Sequence, residues 1–118
     1  MGKIEYSLQE KSLEAQYEGY VFSLSETSDK LLEIDNAMQI SVNHARMDLI
    51  LSKQIIPVYV KKQDEYRIMI LLKKADDEFF LLDYFCGVQK TVPDQKELKI
   101  VKTWCDEKKI TLSNGVRL

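Results

Sequence analysis

Residues 40–74, ISVNHARMDLILSKQIIPVYVKKQDEYRIMILLKK, form the stretch that decides the expected fold. Their pattern predicts a short strand, a helix of two to three turns, and then two long apolar strands. The polar residues 63–65 predict the turn between those strands. Residues 66–72 are apolar on both faces, which is typical of the central strand of a sheet.

The same stretch is the basic part of the chain. Residues 36–75 carry seven Lys or Arg against three Asp or Glu, whereas residues 1–35 carry three against eight. Residues 76–118 are nearly balanced, with seven against eight, so the formal net charge of −2 hides a dipolar layout. A basic middle third favours a polyanionic partner, and an acidic first third favours a basic one.

Composition excludes several classes of protein. A chain of 118 residues with 45% hydrophobic and 31% charged residues is expected to form one domain over residues 1–118. One His and two Cys without a CxxC motif cannot supply a Cys/His zinc site, and glycine-rich nucleotide motifs are missing. We therefore expect no metal, no cofactor and no small-molecule substrate.

Localisation follows from what the sequence lacks. The first residues have no apolar core typical of a secretory signal, and the longest apolar run, residues 68–72, is too short to cross a bilayer. We expect a cytoplasmic protein with reduced thiols and no membrane partner.

Elements outside the first stretch are predicted from local patterns. Alternating apolar residues predict strands at residues 4–8, 18–25, 30–35 and 38–42, with Tyr20, Phe22 and Leu24 facing inward in the second. Asn43 is expected to be the N-cap of the helix that follows. Pro57 predicts an edge strand or a bulge, because proline has no N–H to donate.

The last third predicts a strand and a second helix. Residues 79–85 complete an antiparallel meander after a turn at residues 75–78. Pro93 fits a first helical turn, and Asp94 with Glu97 has the spacing of a capping box. Asn114-Gly115 predicts a terminal hairpin. The expected fold class is α+β, mainly β: a small mixed β-barrel with two helices.

Tyrosines and cations alternate around the predicted hairpin. Tyr59 and Tyr66 lie close in sequence to three cations, Lys61, Lys62 and Arg67. Flat rings stack on bases and cations neutralise phosphates, so this composition is typical of a surface that binds single-stranded nucleic acid. These residues alone leave another reading open, in which outward lysines protect an edge strand from aggregation.

Catalytic candidates are few. His44 and Asp48 are four residues apart on the predicted helix, and they could serve as a general base and the carboxylate that orients it. No nucleophile motif accompanies them. The adjacent carboxylates at residues 76–78 are expected to form a solvated turn, because hydrolysis needs two carboxylates held across a cleft. We expect no enzyme activity and no catalytic residues.

The order strand, helix, strand in residues 40–61 resembles the opening of a PUA-like domain of the ASCH type, a family of small closed barrels. Ile50-Leu51-Ser52-Lys53 resembles the end of that family's helix, with Ser52 in place of the usual Gly. Where ASCH members often carry Lys, Glu and Arg, this chain has Gln54, Pro57 and Tyr59. These departures disfavour the enzymatic members of the family and favour a binding member.

Size, charge layout and fold are also similar to the PUA-like regulators of enterococcal pheromone-inducible conjugative plasmids. That resemblance implies RNA binding, of single strands or loops, that restrains production of plasmid-encoded surface adhesins. About six cations would make the binding salt-dependent, and a helix N-terminus attracts phosphate. The candidate RNA-binding residues are His44, Arg46, Lys53, Tyr59, Lys61, Lys62 and Arg67. We expect the cations around the hairpin and Lys53 to gather on one exposed wall of the sheet.

Two other functions stay open. The chain is a candidate protein-interaction module or inhibitor, either as a homodimer paired through the Pro57 strand or with its acidic third on a basic partner. An ASCH-like hydrolase would rest on His44 and Asp48.

Overall fold

A computed structural model describes residues 2–75 and 79–118, and a six-stranded mixed sheet organises them. The strands follow one another across the sheet in chain order, and all neighbours are antiparallel except the last pair, which is parallel. The sheet is curled like half of a barrel. Its strands are β1 (Ala15–Tyr17), β2 (Tyr20–Leu24), β3 (Ile55–Lys62), β4 (Glu65–Lys74), β5 (Phe80–Cys86) and β6 (Thr111–Leu112).

Helices connect the strands and cover the sheet. The described residues form α1 (Leu8–Lys11), α2 (Ser28–Met38), α3 (Val42–Ala45), α4 (Met47–Leu51) and α5 (Gln95–Lys108), with one turn of 3-10 helix at Val88–Lys90. The α+β class is confirmed. The expectation of two helices is wrong, because this part of the chain contains five α-helices.

The predicted meander is confirmed. Gln63 and Asp64 have φ values of 51° and 68°, and left-handed residues at both positions of a two-residue turn match the twist of the flanking strands. β4 lies between β3 and β5, and its residues 68–72 are fully buried, as expected for the central strand. β2 also has its expected inward side chains, since Tyr20 and Phe22 are buried.

Helices pack on both faces of the sheet. On one face, the Phe22 ring stacks on the Trp104 ring of α5 with centroids 4.7 Å apart. On the other face, Met69 Sδ lies 3.3 Å from the Asn43 amide nitrogen of α3. Since successive side chains of a strand point to opposite faces, this double cover explains why β4 is apolar on both sides.

The strand predicted at residues 30–35 is wrong, because these residues belong to α2. The side-chain oxygen of Thr27 accepts a hydrogen bond from the Lys30 N–H at 3.2 Å and caps the helix. Leu31, Ile34 and Met38 recur at helical spacing and are fully buried. A six-residue window is too short to separate the helical period from the strand period.

Two other predicted strands are also wrong. Residues 4–7 form no strand and Leu8 begins α1; the nearest strand pairing is an isolated bridge between Lys3 and Thr27, and Ser7 with Glu10 forms the capping box of α1. Residues 38–42 span the left-handed end of α2 at Gln39 and the start of α3. Asn43 therefore lies buried inside α3 and is not an N-cap.

Pro57 does not mark an edge strand, because β3 pairs with both β2 and β4. It lies one residue beyond the last β2–β3 pair, Leu24 with Val58, where β3 has a strand neighbour on one side only.

Pro93 precedes the N-cap Asp94 of α5, and the capping box with Glu97 is confirmed. No strand follows Gly115 in the described chain, so the terminal hairpin is wrong, and residues 76–78 of the predicted turn lie outside the described residues.

Candidate nucleic-acid interface

Two tyrosines and two lysines meet on the α2 side of the sheet, beside the β3–β4 hairpin. The Tyr59 and Tyr66 rings pack edge to face, with centroids 5.8 Å apart and planes at 73°. The ammonium groups of Lys30 and Lys61 lie 5.4 and 5.1 Å from the centroid of the Tyr66 ring. We call these four residues the ring–lysine cluster.

Strand geometry and α2 build the ring–lysine cluster. Tyr59 and Lys61 point to the same side of β3, and a register shift after Val60 sets Lys61 opposite Tyr66 of β4. Lys30 comes from the first turns of α2, far from the hairpin in sequence. Sequence reasoning missed Lys30 because it placed residues 30–35 in a strand. The Thr27 cap followed by apolar residues at helical spacing was the signal that would have found it.

The charge states of the ring–lysine cluster suit an anionic ligand. Hydrogen bonding to the Tyr66 hydroxyl raises the pKa of Lys30, with a smaller contribution from the Glu33 carboxylate 3.8 Å away. Burial raises the pKa of Tyr59. Both shifts favour a protonated Lys30 ammonium beside a neutral Tyr59 phenol near neutral pH.

Lys62 and Arg67 lie on the other face of the sheet. Lys62 follows Lys61 directly in β3, so its side chain points to the α5 side, where its ammonium lies 4.6 Å from the Tyr20 ring centroid. The Nε of Arg67 lies 2.9 Å from the buried Glu97 carboxylate, and hydrogen bonding to Glu97 raises the pKa of Arg67. Glu97 thus neutralises the Arg67 charge.

Lys53 lies at the far end of the sheet, separated from Lys61 by the length of β3, roughly 20 Å. Its ammonium lies 2.7 Å from one oxygen of Glu10, and Lys74 lies 2.9 Å from the other. Burial acts to raise the pKa of Glu10, but hydrogen bonds from Lys53, Ser7 and Lys74 together lower it to about 2. Lys53 therefore serves as the partner of a buried carboxylate.

His44 and Arg46 belong to a third region. The N–H groups of Asn43 and His44 donate to the buried Asp35 carboxylate at 3.1 and 2.8 Å. A carboxylate of α2 thus occupies the helix N-terminus where a phosphate was expected. Arg46 lies 5.8 Å from the Tyr84 ring centroid, measured from its guanidinium carbon.

The seven predicted residues therefore do not form one surface. Tyr59 and Lys61 come together, and Tyr66 and Lys30 join them. The expectation that Lys53, Lys62 and Arg67 share a wall with Lys61 is wrong. The alternation of β3 sends consecutive lysines to opposite faces, and long-range ion pairs engage Lys53 and Arg67.

The residues proposed for a hydrolase are not arranged as a base and its orienter. The chain leaves helical geometry at Arg46, where φ is −123°, so His44 and Asp48 belong to different helices. Within the described residues no hydrogen bond or ion pair joins their side chains. The carboxylates of residues 76–78 lie outside the described residues.

The described residues offer few candidates for metal binding or for catalysis by a thiol nucleophile. The described residues contain no group of three or more His, Cys, Asp or Glu that would hold a metal ion. Both thiols are buried, and burial raises the pKa of Cys86 and raises that of Cys105 to about 12. These are poor nucleophiles, because the thiolate is the reactive form.

Comparison with protein-family models, curated proteins and solved structures finds no match. The PUA-like identity of residues 40–61 stays a prediction. The helices in residues 2–75 and 79–118 include none that is long and apolar enough to cross a membrane.

Proposed function

We propose that this chain is a non-catalytic RNA-binding protein that binds single-stranded or looped RNA on the ring–lysine cluster. One observation carries the proposal: two ammonium groups from different elements, Lys30 of α2 and Lys61 of β3, lie 5.4 and 5.1 Å from the centroid of the Tyr66 ring. Rings beside cations at a partly exposed surface are what sequence-tolerant single-strand binding requires.

Binding replaces contacts within the protein by contacts with the ligand. In the free protein the ammonium groups rest near the Tyr66 ring, a contact worth about 0.5–1 kcal/mol at exposed sites. A bound strand gives them phosphates as partners, and its bases take their place on the ring. Base stacking contributes about 1–3 kcal/mol for each base, so the exchange is favourable.

The wider role in this proposal rests on the resemblance in size, composition and fold to the PUA-like regulators of enterococcal conjugative plasmids. The resemblance supports a post-transcriptional regulator of plasmid-encoded conjugation or adhesin genes, and we propose that it acts in the cytoplasm. The ring–lysine cluster needs no cofactor for this role, because binding uses only charge and stacking.

The test measures fluorescence anisotropy of a labelled leader RNA containing a single-stranded loop. We expect Tyr66→Leu to weaken binding about tenfold or more, since one stacked base is lost. Lys61→Gln should lower the slope of log affinity against log salt by about 0.7. Tyr84→Leu is the matched control, because Tyr84 also pairs with a cation, Arg46, but lies outside the ring–lysine cluster.

Two results would overturn the proposal. One is the absence of RNA binding by the wild-type protein at low salt. The other is wild-type affinity of both Tyr66→Leu and Lys61→Gln. A stoichiometric protein partner recovered without RNA in an affinity purification would favour the protein-interaction module instead.

A further inference from the structure

A second basic surface lies on the opposite side of the sheet from the ring–lysine cluster. The outward face of α5 carries Lys96, Lys99 and Lys102, which line a groove of about 720 Å³. These lysines recur every three residues and span about 9 Å along the helix axis. The concave surface that they border is visible only in the structure.

Two of the three lysines of this groove have no carboxylate partner in the described chain. Within the described residues neither Lys96 nor Lys99 makes an ion pair, and Lys102 makes an exposed one with Asp106 at 3.4 Å. Glu97 of the same helix turns inward to Arg67. Glu18 is the acidic side chain among the described lining residues.

Lys62 connects the groove to the ring–lysine cluster. Its side chain passes close to Gly19, where Cε lies 4.0 Å from the place that a Cβ would occupy, and Gly19 adjoins Glu18 of the groove. Lys61, the preceding residue, belongs to the ring–lysine cluster. Since consecutive strand residues point to opposite faces, the two lysines carry positive charge around the end of the hairpin from one face to the other.

We infer that the α5 groove binds the sugar–phosphate backbone of the RNA strand whose bases stack at the ring–lysine cluster. The inference rests on the proposed function and extends its site around the β3–β4 hairpin. The lining residues of the groove include lysines but no aromatic ring, so it offers point charges for phosphates and no platform for bases. Binding there is therefore independent of base sequence and depends on the length of the strand.

The experiment compares oligouridylates of about 4 and about 16 nucleotides, which bracket the known site sizes of single-strand-binding domains. The test variant combines Lys96→Gln, Lys99→Gln and Lys102→Gln. Three lost phosphate contacts should lower the salt slope of the longer oligonucleotide by about 2, and the slope of the shorter one should not change. Glu18→Gln should tighten binding of the longer strand alone, by about twofold.

A control with the same change of charge combines Lys11→Gln, Lys73→Gln and Lys109→Gln, three exposed lysines away from the hairpin end. The inference is overturned if this control lowers the slope as much as the α5 variant. It is also overturned if the longer strand binds the α5 variant as it binds wild type while Tyr66→Leu still loses affinity. If neither oligonucleotide binds the wild-type protein, the proposed function itself fails.

Discussion

Glu10 is a fully buried carboxylate that joins three segments of the chain. It belongs to α1 and contacts Lys53, just before β3, and Lys74, at the end of β4. Glu10→Gln keeps the shape but removes the charge, and hydrogen bonds to a charged group contribute about 1.5–3 kcal/mol. We expect the free energy of unfolding in urea to fall by that amount. Glu33→Gln, in an exposed pair with Lys30, should change it by less than about 0.5 kcal/mol.

The same carboxylate makes stability depend on pH. The folded protein holds the pKa of Glu10 near 2, below its ordinary value of 4.5. The stabilisation is therefore present above about pH 4.5 and is lost as pH falls towards 2. We expect the difference in unfolding free energy between wild type and Glu10→Gln to shrink between pH 5 and pH 2, as followed by urea titrations. A difference that stays constant over this range would contradict the ion pair.

At the scale of an element, α5 shows how a helix boundary is encoded locally. The Asp94 carboxylate accepts a hydrogen bond from the Glu97 N–H at 2.8 Å, and the Glu97 carboxylate accepts one from the Asp94 N–H at 3.2 Å. Asp94→Ala should lower the free energy of unfolding by about 1 kcal/mol, measured by chemical denaturation. Asp106→Ala, in the last turn of the same helix, should have a much smaller effect. Equal losses in both variants would show that the cap does not hold the helix start.

Two elements were predicted from local signals of this kind, whereas α1 was missed although Ser7 and Glu10 form the same kind of capping box. The capping box of α5 and the polar turn at residues 63–65 are complete within a few residues, so their elements were identified from sequence. α2 was missed because its apolar residues also fit a strand when only residues 30–35 are considered. Contact with β4 and the Thr27 cap select the helix.

At the scale of the whole molecule, a central strand shared by both faces should make unfolding cooperative. Trp104, the only tryptophan, is fully buried on the α5 face and donates from its indole nitrogen to the Leu13 carbonyl at 2.7 Å. We expect its fluorescence and the far-ultraviolet circular dichroism to change at the same urea concentration. A fluorescence change at lower urea would show that α5 detaches before the sheet unfolds.

The candidate site was only partly predictable, because some of its residues are close in sequence and others are brought together only by packing. Tyr59, Tyr66 and Lys61 are close in sequence across a tight hairpin, so their proximity followed from the strand pattern. Lys30 reaches Tyr66 only because α2 packs beside the hairpin. Lys96, Lys99 and Lys102 became a second candidate surface only once α5 was placed on the other face.

By itself, the sequence determined the elements whose signals are short in range: the β3–β5 meander, its hairpin turn and the capped α5. The tertiary structure decided which charges are paired within the protein. Glu10 engages Lys53 and Glu97 engages Arg67 across long stretches of chain. Local patterns follow from backbone geometry, whereas the partner of a charge depends on which distant segments pack together, and a count of basic residues does not contain that information.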